Sequence, residues 1–145
     1  MRIVAPLVIA LVAVLVATSP AFADDWQSPD TLDGLVGSYN RPLFGGGPIA
    51  YVSLRGSDGY RAQGPYTRFV DSGRGGLVVQ TGTYEAIANN PAVGAFILFL
   101  DENGSARDSY FILGIRRDPL GQKIIAIELA DPATGRPFSL VRVGL

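Results

Sequence analysis

Tyr110-Phe111-Ile112-Leu113-Gly114-Ile115-Arg116-Arg117, followed by Asp118-Pro119-Leu120-Gly121-Gln122-Lys123 and then Ile124-Ile125-Ala126-Ile127-Glu128-Leu129, is the stretch that decides the fold. In its first run Phe111, Leu113 and Ile115 recur at every second position and share one face. In its last run Ile125, Ile127 and Leu129 do the same, with Glu128 on the opposite side. A period of two is the signature of strands. Asp118-Pro119 presets the first bend of a turn, because proline fixes its own φ. The three pieces together predict two antiparallel strands joined by a turn.

The same grammar extends outward. Turn signals stand at Gly45-Gly46-Gly47-Pro48, Ser57-Asp58-Gly59, Gly73-Arg74-Gly75-Gly76, Asn89-Asn90-Pro91, Asp101-Glu102-Asn103-Gly104 and Asp131 to Gly135. Between them lie short alternating runs. Ala50, Val52 and Leu54 oppose Tyr51, Ser53 and Arg55, and Leu140 and Arg142 oppose Val141 and Val143. Residues 96–100, Phe-Ile-Leu-Phe-Leu, are apolar on both faces and read as a central strand. A helix-like candidate at residues 84–88 meets Asn89-Asn90-Pro91 within little more than a turn, and is read as a strand. The expected fold is all-β: an antiparallel up-and-down barrel of about eight strands, closed so that no edge is exposed. A gapless shift of 45 residues aligns Gly37-Ser38-Tyr39 with Gly82-Thr83-Tyr84 and Asp58-Gly59 with Asn103-Gly104. Taken as a repeat, it implies two similar halves.

The first residues read as an export signal. Met1-Arg2 is positive, residues 3–17 are almost unbroken apolar, and Ala21-Phe22-Ala23 precedes Asp24-Asp25. Small residues at both ends of that triplet suit signal peptidase. The run is short for a span of roughly 20 residues. Residues 1–23 are therefore expected to be removed, 24–34 to form a flexible leader, and 35–145 to form a single domain. With no cysteine in the chain, no lipid anchor follows cleavage. The expected location is the periplasm or the outside of the cell. Loss of Arg2 leaves 11 basic against 13 acidic residues, a net charge of −2. That balance excludes nucleic acid as an expected partner.

The chain holds no His and no Cys. This removes Ser-His-Asp and Cys-His nucleophiles, His-ligated zinc and thiol redox chemistry. No catalytic residue, metal or cofactor is expected. Asp101-x-Asn103-x-Ser105 has the start of a calcium loop but its Gly comes too early and the distal Glu is missing, so a hairpin turn is the better reading. Gly73-Arg74-Gly75-Gly76 lacks the Lys and helix of a phosphate loop and reads as a surface turn.

Gly37-x-Tyr39 in the first strand, Arg142 in the last and Asp108-Ser109-Tyr110 in between resemble the lipocalin-like (calycin) group of secreted barrels. That family carries Gly-x-Trp first and packs an Arg across the aromatic ring to close the base. Here Tyr replaces Trp, and the family's disulfide and C-terminal helix are missing. The resemblance implies barrel closure by Gly37, Tyr39 and Arg142. It also implies a non-enzymatic protein holding a small apolar or amphipathic ligand within the barrel or at its mouth. Val52, Leu54, Phe96, Leu98, Phe111 and Leu113 are the expected ligand-lining residues. A shift of one residue exchanges the inner and outer sets. The second reading is a solid barrel that contacts an envelope protein, as an inhibitor or maintenance factor would.

Overall fold

The computed structural model describes residues 26–144. The expected export signal at 1–23 lies outside the described residues. Eight strands follow in chain order: β1 (Gly37–Asn40), β2 (Ile49–Leu54), β3 (Arg61–Asp71), β4 (Leu77–Asn90), β5 (Gly94–Leu100), β6 (Ala106–Arg117), β7 (Ile124–Ala130) and β8 (Pro137–Arg142). Each pairs antiparallel with the next, and β8 returns to β1 through Tyr39 opposite Arg142. The result is a closed up-and-down barrel. Residues 84–88 lie inside β4, as their short run before Asn89-Asn90-Pro91 predicts.

Turns place the ends. The β1–β2, β3–β4, β5–β6 and β7–β8 connections gather at one end, the mouth; the other connections and both ends of the barrel sequence gather at the base. At the base, Arg142 lies across the Tyr39 ring with its guanidinium carbon 5.1 Å from the centroid. Its Nε donates to the Ile124 carbonyl at 2.7 Å, and its Nη2 to Gly34 at 2.6 Å, Val36 at 3.1 Å and the Tyr39 hydroxyl at 3.1 Å. Tyr39 Oη donates onward to the Leu35 carbonyl at 2.5 Å. Gly37 is glycine because a Cβ there would run into the Arg142 guanidinium. One cation thus ties the first strand, the last strand and the β6–β7 connection.

The expected flexible leader is corrected for residues 26–34, which are folded onto the base. Gln27 exchanges both backbone bonds with Ile115, on a part of β6 that β5 is too short to reach. Asn89 donates its backbone N–H to Pro29 and its amide to Ser28 and Asp30. Arg116 stacks on Trp26 at 4.7 Å, and Leu32 and Leu35 are buried in the core. The hydrophobic stapling by Leu32 and Leu35, spaced three apart in an otherwise polar segment, is what holds this stretch down.

The 45-residue repeat is also corrected. It aligns β1 with β4 and β2 with β5, three strands apart. Two similar halves of an eight-stranded barrel require a shift of four. Strands three apart in an up-and-down barrel run in opposite directions, so the alignment is no symmetry of the fold.

Replacing Arg142 by Ala takes a donor from the Ile124, Gly34 and Val36 carbonyls and opens the base. A loss of about 2–4 kcal/mol is expected. Urea unfolding of R142A beside the exposed-site control V143A measures it; equal midpoints would show that the base closure carries no stability.

Candidate functional site

The barrel interior is filled by its own side chains. Tyr66 meets Phe99 at 4.9 Å between ring centroids, Phe99 meets Tyr110 at 6.3 Å, and Tyr110 meets Phe138 at 5.3 Å, all edge to face. This chain of rings crosses from β3 through β5 and β6 to β8. An eight-stranded barrel has room for little more. Below it, Tyr39 and Tyr84 occupy the base with buried hydroxyls. Tyr84 donates its hydroxyl to the Arg55 carbonyl, and Tyr66 above it donates its own to the Leu100 carbonyl, each at 2.9 Å.

The mouth is plugged by a charge. Arg68 is 2% exposed, the only buried charged side chain among the described residues. It occupies an inward position of β3, two residues from Tyr66. Its guanidinium carbon sits 4.5 Å from the Phe99 centroid and 5.6 Å from that of Tyr66. Nη1 and Nη2 reach the two oxygens of Asp108 at 2.9 and 3.0 Å, and Nε and Nη2 reach Gln80 Oε1 at 2.9 and 2.8 Å. Tyr110 donates to Asp108 Oδ2 at 2.9 Å. A bidentate Arg with all three of its nitrogens hydrogen-bonded is the form in which a cation tolerates burial. Burial pushes the Tyr110 phenol well above its ordinary value, and the Asp108 carboxylate beside it adds to the effect. Burial likewise raises Tyr39, and pushes Tyr84 up to about 12. Both Asp108 oxygens are occupied.

The expected ligand-lining residues divide. Val52 and Leu54 point inward and are buried. Phe96, Leu98, Phe111 and Leu113 are corrected to the outer wall, where Phe111 and Leu113 are 40% and 49% exposed. Their inward neighbours are Ile97, Phe99, Tyr110 and Ile112. The expected common face of Phe111, Leu113 and Ile115 is broken by a register shift between Ile112 and Gly114, which sends Ile115 inward. Phe96 stands directly opposite Phe111, so these residues form one apolar stripe outside the barrel.

Two clefts open on the surface. One, of about 550 Å³, lies near the base beside Gly56, Gln63, Thr83 and Glu85. The other, of about 440 Å³, lies at the mouth between Gly47, Pro48, Arg136 and Phe138. The mouth loop over residues 41–48 carries the most exposed apolar side chains of the described residues: Phe44 at 99% and Leu43 at 84%. Phe44 holds φ of +66°, a left-handed conformation unusual for a bulky residue and a mark of functional loops. The loop is braced nonetheless. Arg41 Nη1 donates to the Gly47 carbonyl at 2.8 Å and to Asp71 at 3.0 Å. Gly47, at φ of +102°, lets the backbone press on the Phe138 ring where a Cβ would collide. This rim is the candidate functional site.

Asp101 accepts the backbone N–H groups of Asn103 and Ser105 at 2.8 and 2.9 Å, which hold its carboxyl below the usual range. It is spent on its hairpin turn. Among the described residues, no group of three or more His, Cys, Asp or Glu is placed to hold a metal ion.

Arg68 and Phe44 were not among the residues expected from sequence. The signal for Arg68 was its parity: it shares the alternation of Tyr66 and Val70, a charge on an inward-facing run. Compared with protein-family models, curated proteins and solved structures, the chain matches none.

Two outcomes follow from the plug and the buried phenols. D108N leaves a buried guanidinium without its anion and should cost about 3–5 kcal/mol. In R68M/D108N the uncompensated cation is gone, and much of that loss should return; a double-mutant cycle by urea unfolding reads the coupling. Because Tyr39, Tyr84 and Tyr110 titrate higher folded than unfolded, their stabilisation is complete below the unfolded value of 10.0 and is lost as pH rises through the folded values. The unfolding midpoint should therefore fall steadily between about pH 10 and 12. A midpoint flat over that window would contradict the buried phenols.

Proposed function

We propose that this protein is an exported, non-enzymatic, lipocalin-like barrel that grips a partner protein with its mouth rim rather than carrying a molecule inside. One observation carries the reading. The interior is occupied from Tyr39 at the base to Arg68 at the mouth, while the most exposed apolar side chains, Leu43 and Phe44, stand on a braced loop outside it. Apolar side chains held in water on an ordered loop lose free energy only when covered. An aromatic anchor presented in advance avoids part of the ordering cost of binding. The first 23 residues support export, and the Gly37, Tyr39 and Arg142 contact supports the lipocalin-like assignment. The lack of His and Cys supports a binding rather than a catalytic role.

The partner would present an apolar pocket able to take a phenyl ring, with polar groups at its edge for the exposed backbone of residues 45–47. Placing a photoreactive benzoylphenylalanine at Phe44, and separately at Leu120 on the base, tests this in the living cell. Leu120 is 78% exposed, so the control is equally reachable. Illumination should give a discrete protein adduct from position 44 and none from position 120. Equal adducts at both positions, or none at either, would contradict a mouth-rim partner.

A further inference from the structure

The barrel is closed, yet one of its strands outruns its neighbour. β3 and β4 pair along their whole length, up to Asp71 opposite Leu77. On its other side, β4 pairs with β5 only from Thr83, opposite Leu100. Residues 77–82 of β4 are therefore partnered by β3 alone among the described residues. Part of this gap is covered locally. Arg107 Nη2 donates to the Thr81 carbonyl at 3.2 Å, and the Leu100 carbonyl lies against Gly82. What is left is a free strand edge over residues 77–80.

That edge lacks the usual protection. Natural edges carry charges, prolines or bulges that block pairing with another chain. Here residues 75–84, Gly-Gly-Leu-Val-Val-Gln-Thr-Gly-Thr-Tyr, contain no charge and no proline. Pairing with β3 runs without a register shift along the whole hairpin. Leu77, Val78 and Val79 are 55%, 43% and 61% exposed, on both faces of the hairpin. An uncharged, flat, apolar edge is a template for another strand.

Charge placement selects the occupant. The hairpin tip carries one charge, Arg74, beyond one end of the free edge. At the other end stands Glu102, whose carboxylate accepts the Thr81 hydroxyl at 2.6 Å. An antiparallel pairing of two copies that sets Leu77 opposite the other Val79 carries the hairpin tip, with Arg74 at its apex, toward the end of the other copy's edge where Thr81 holds Glu102. This brings Arg74 beside the other copy's Glu102. The two-fold axis repeats the contact, so both tips find an acid. No like charges face each other along the shared edge, and Arg107 remains committed to the Thr81 carbonyl of its own copy.

We infer that the free edge of β4 is a self-association surface, on which a second copy of this chain adds its own β4 antiparallel to form a symmetric dimer. The surface lies on the side of the hairpin facing β5, and the rim loop over residues 41–48 lies beyond β2 on the other side. Dimer formation and rim binding are separable.

Sedimentation equilibrium of the purified protein over a range of concentrations, with three variants, tests this. Wild-type should sediment as a dimer. V79K, a change at an exposed position, should keep the fold by circular dichroism yet raise the dimer dissociation constant about tenfold or more, because each lysine then stands opposite the other copy's apolar Leu77 and diagonal to the other lysine. R74E should weaken the dimer, and R74E/E102R should restore it. A Phe44→Ser variant should sediment like wild-type. A wild-type monomer at every concentration, a dimer indifferent to V79K, or a charge swap that fails to restore R74E would each overturn the inference. Strand addition by another protein would appear as a wild-type monomer.

Discussion

A cation buried inside a barrel must bring its own anion, and Arg68 sets most of what this molecule is. Removing a guanidinium from water is costly unless its donors are all met. Asp108 meets two of them from β6 and Gln80 meets two from β4, while Phe99 and Tyr66 offer ring faces. To do so, three strands must present those side chains inward at the same height. The plug therefore fixes the inward phase of β3, β4 and β6 at the mouth, and the Tyr66, Phe99, Tyr110 and Phe138 rings meet edge to face across the interior.

The base uses the same device with different partners. Arg142 lies over Tyr39 and satisfies main-chain carbonyls rather than a carboxylate. Carbonyls from the chain's entry and from the β6–β7 turn thus converge on one cation. The barrel carries an Arg against an aromatic ring at each end, with four rings meeting edge to face between. The proposed recognition surfaces accordingly lie outside: the rim loop with Phe44 and the overhanging β4 edge, with the stripe of Phe96 and Phe111 on other strands of the wall.

Much of the fold was legible because its evidence is local. Asp-Gly and Asp-Pro turns bounding runs of period two are enough to predict short antiparallel strands, and Gly37, Tyr39 and Arg142 are single residues with unmistakable steric roles. The inward phase was not legible where both faces are apolar. Phe96-Ile97-Leu98-Phe99-Leu100 reads the same from either side, and only the pairing of Asp108 with Arg68 settles that Phe99 is inside. In β6 the bulge near Gly114 changes the phase within one strand, so Phe111 and Ile115 cannot share a face. The lead-in at 26–34 escaped for a similar reason. Its burial depends on β5 being too short to cover β6, a fact no local pattern contains. Arg68 and Asp108 lie 40 residues apart, and a partner at that distance leaves no mark in either one's neighbourhood.

The central claim is that this barrel is filled and acts from its outer surface. Native mass spectrometry of the protein, purified without denaturant from the cells that express it and then exposed to their lipid extract, tests that claim most directly. The account predicts masses that are whole multiples of the bare polypeptide, before and after exposure. A reproducible extra mass that organic solvent removes would show an occupied interior and contradict it.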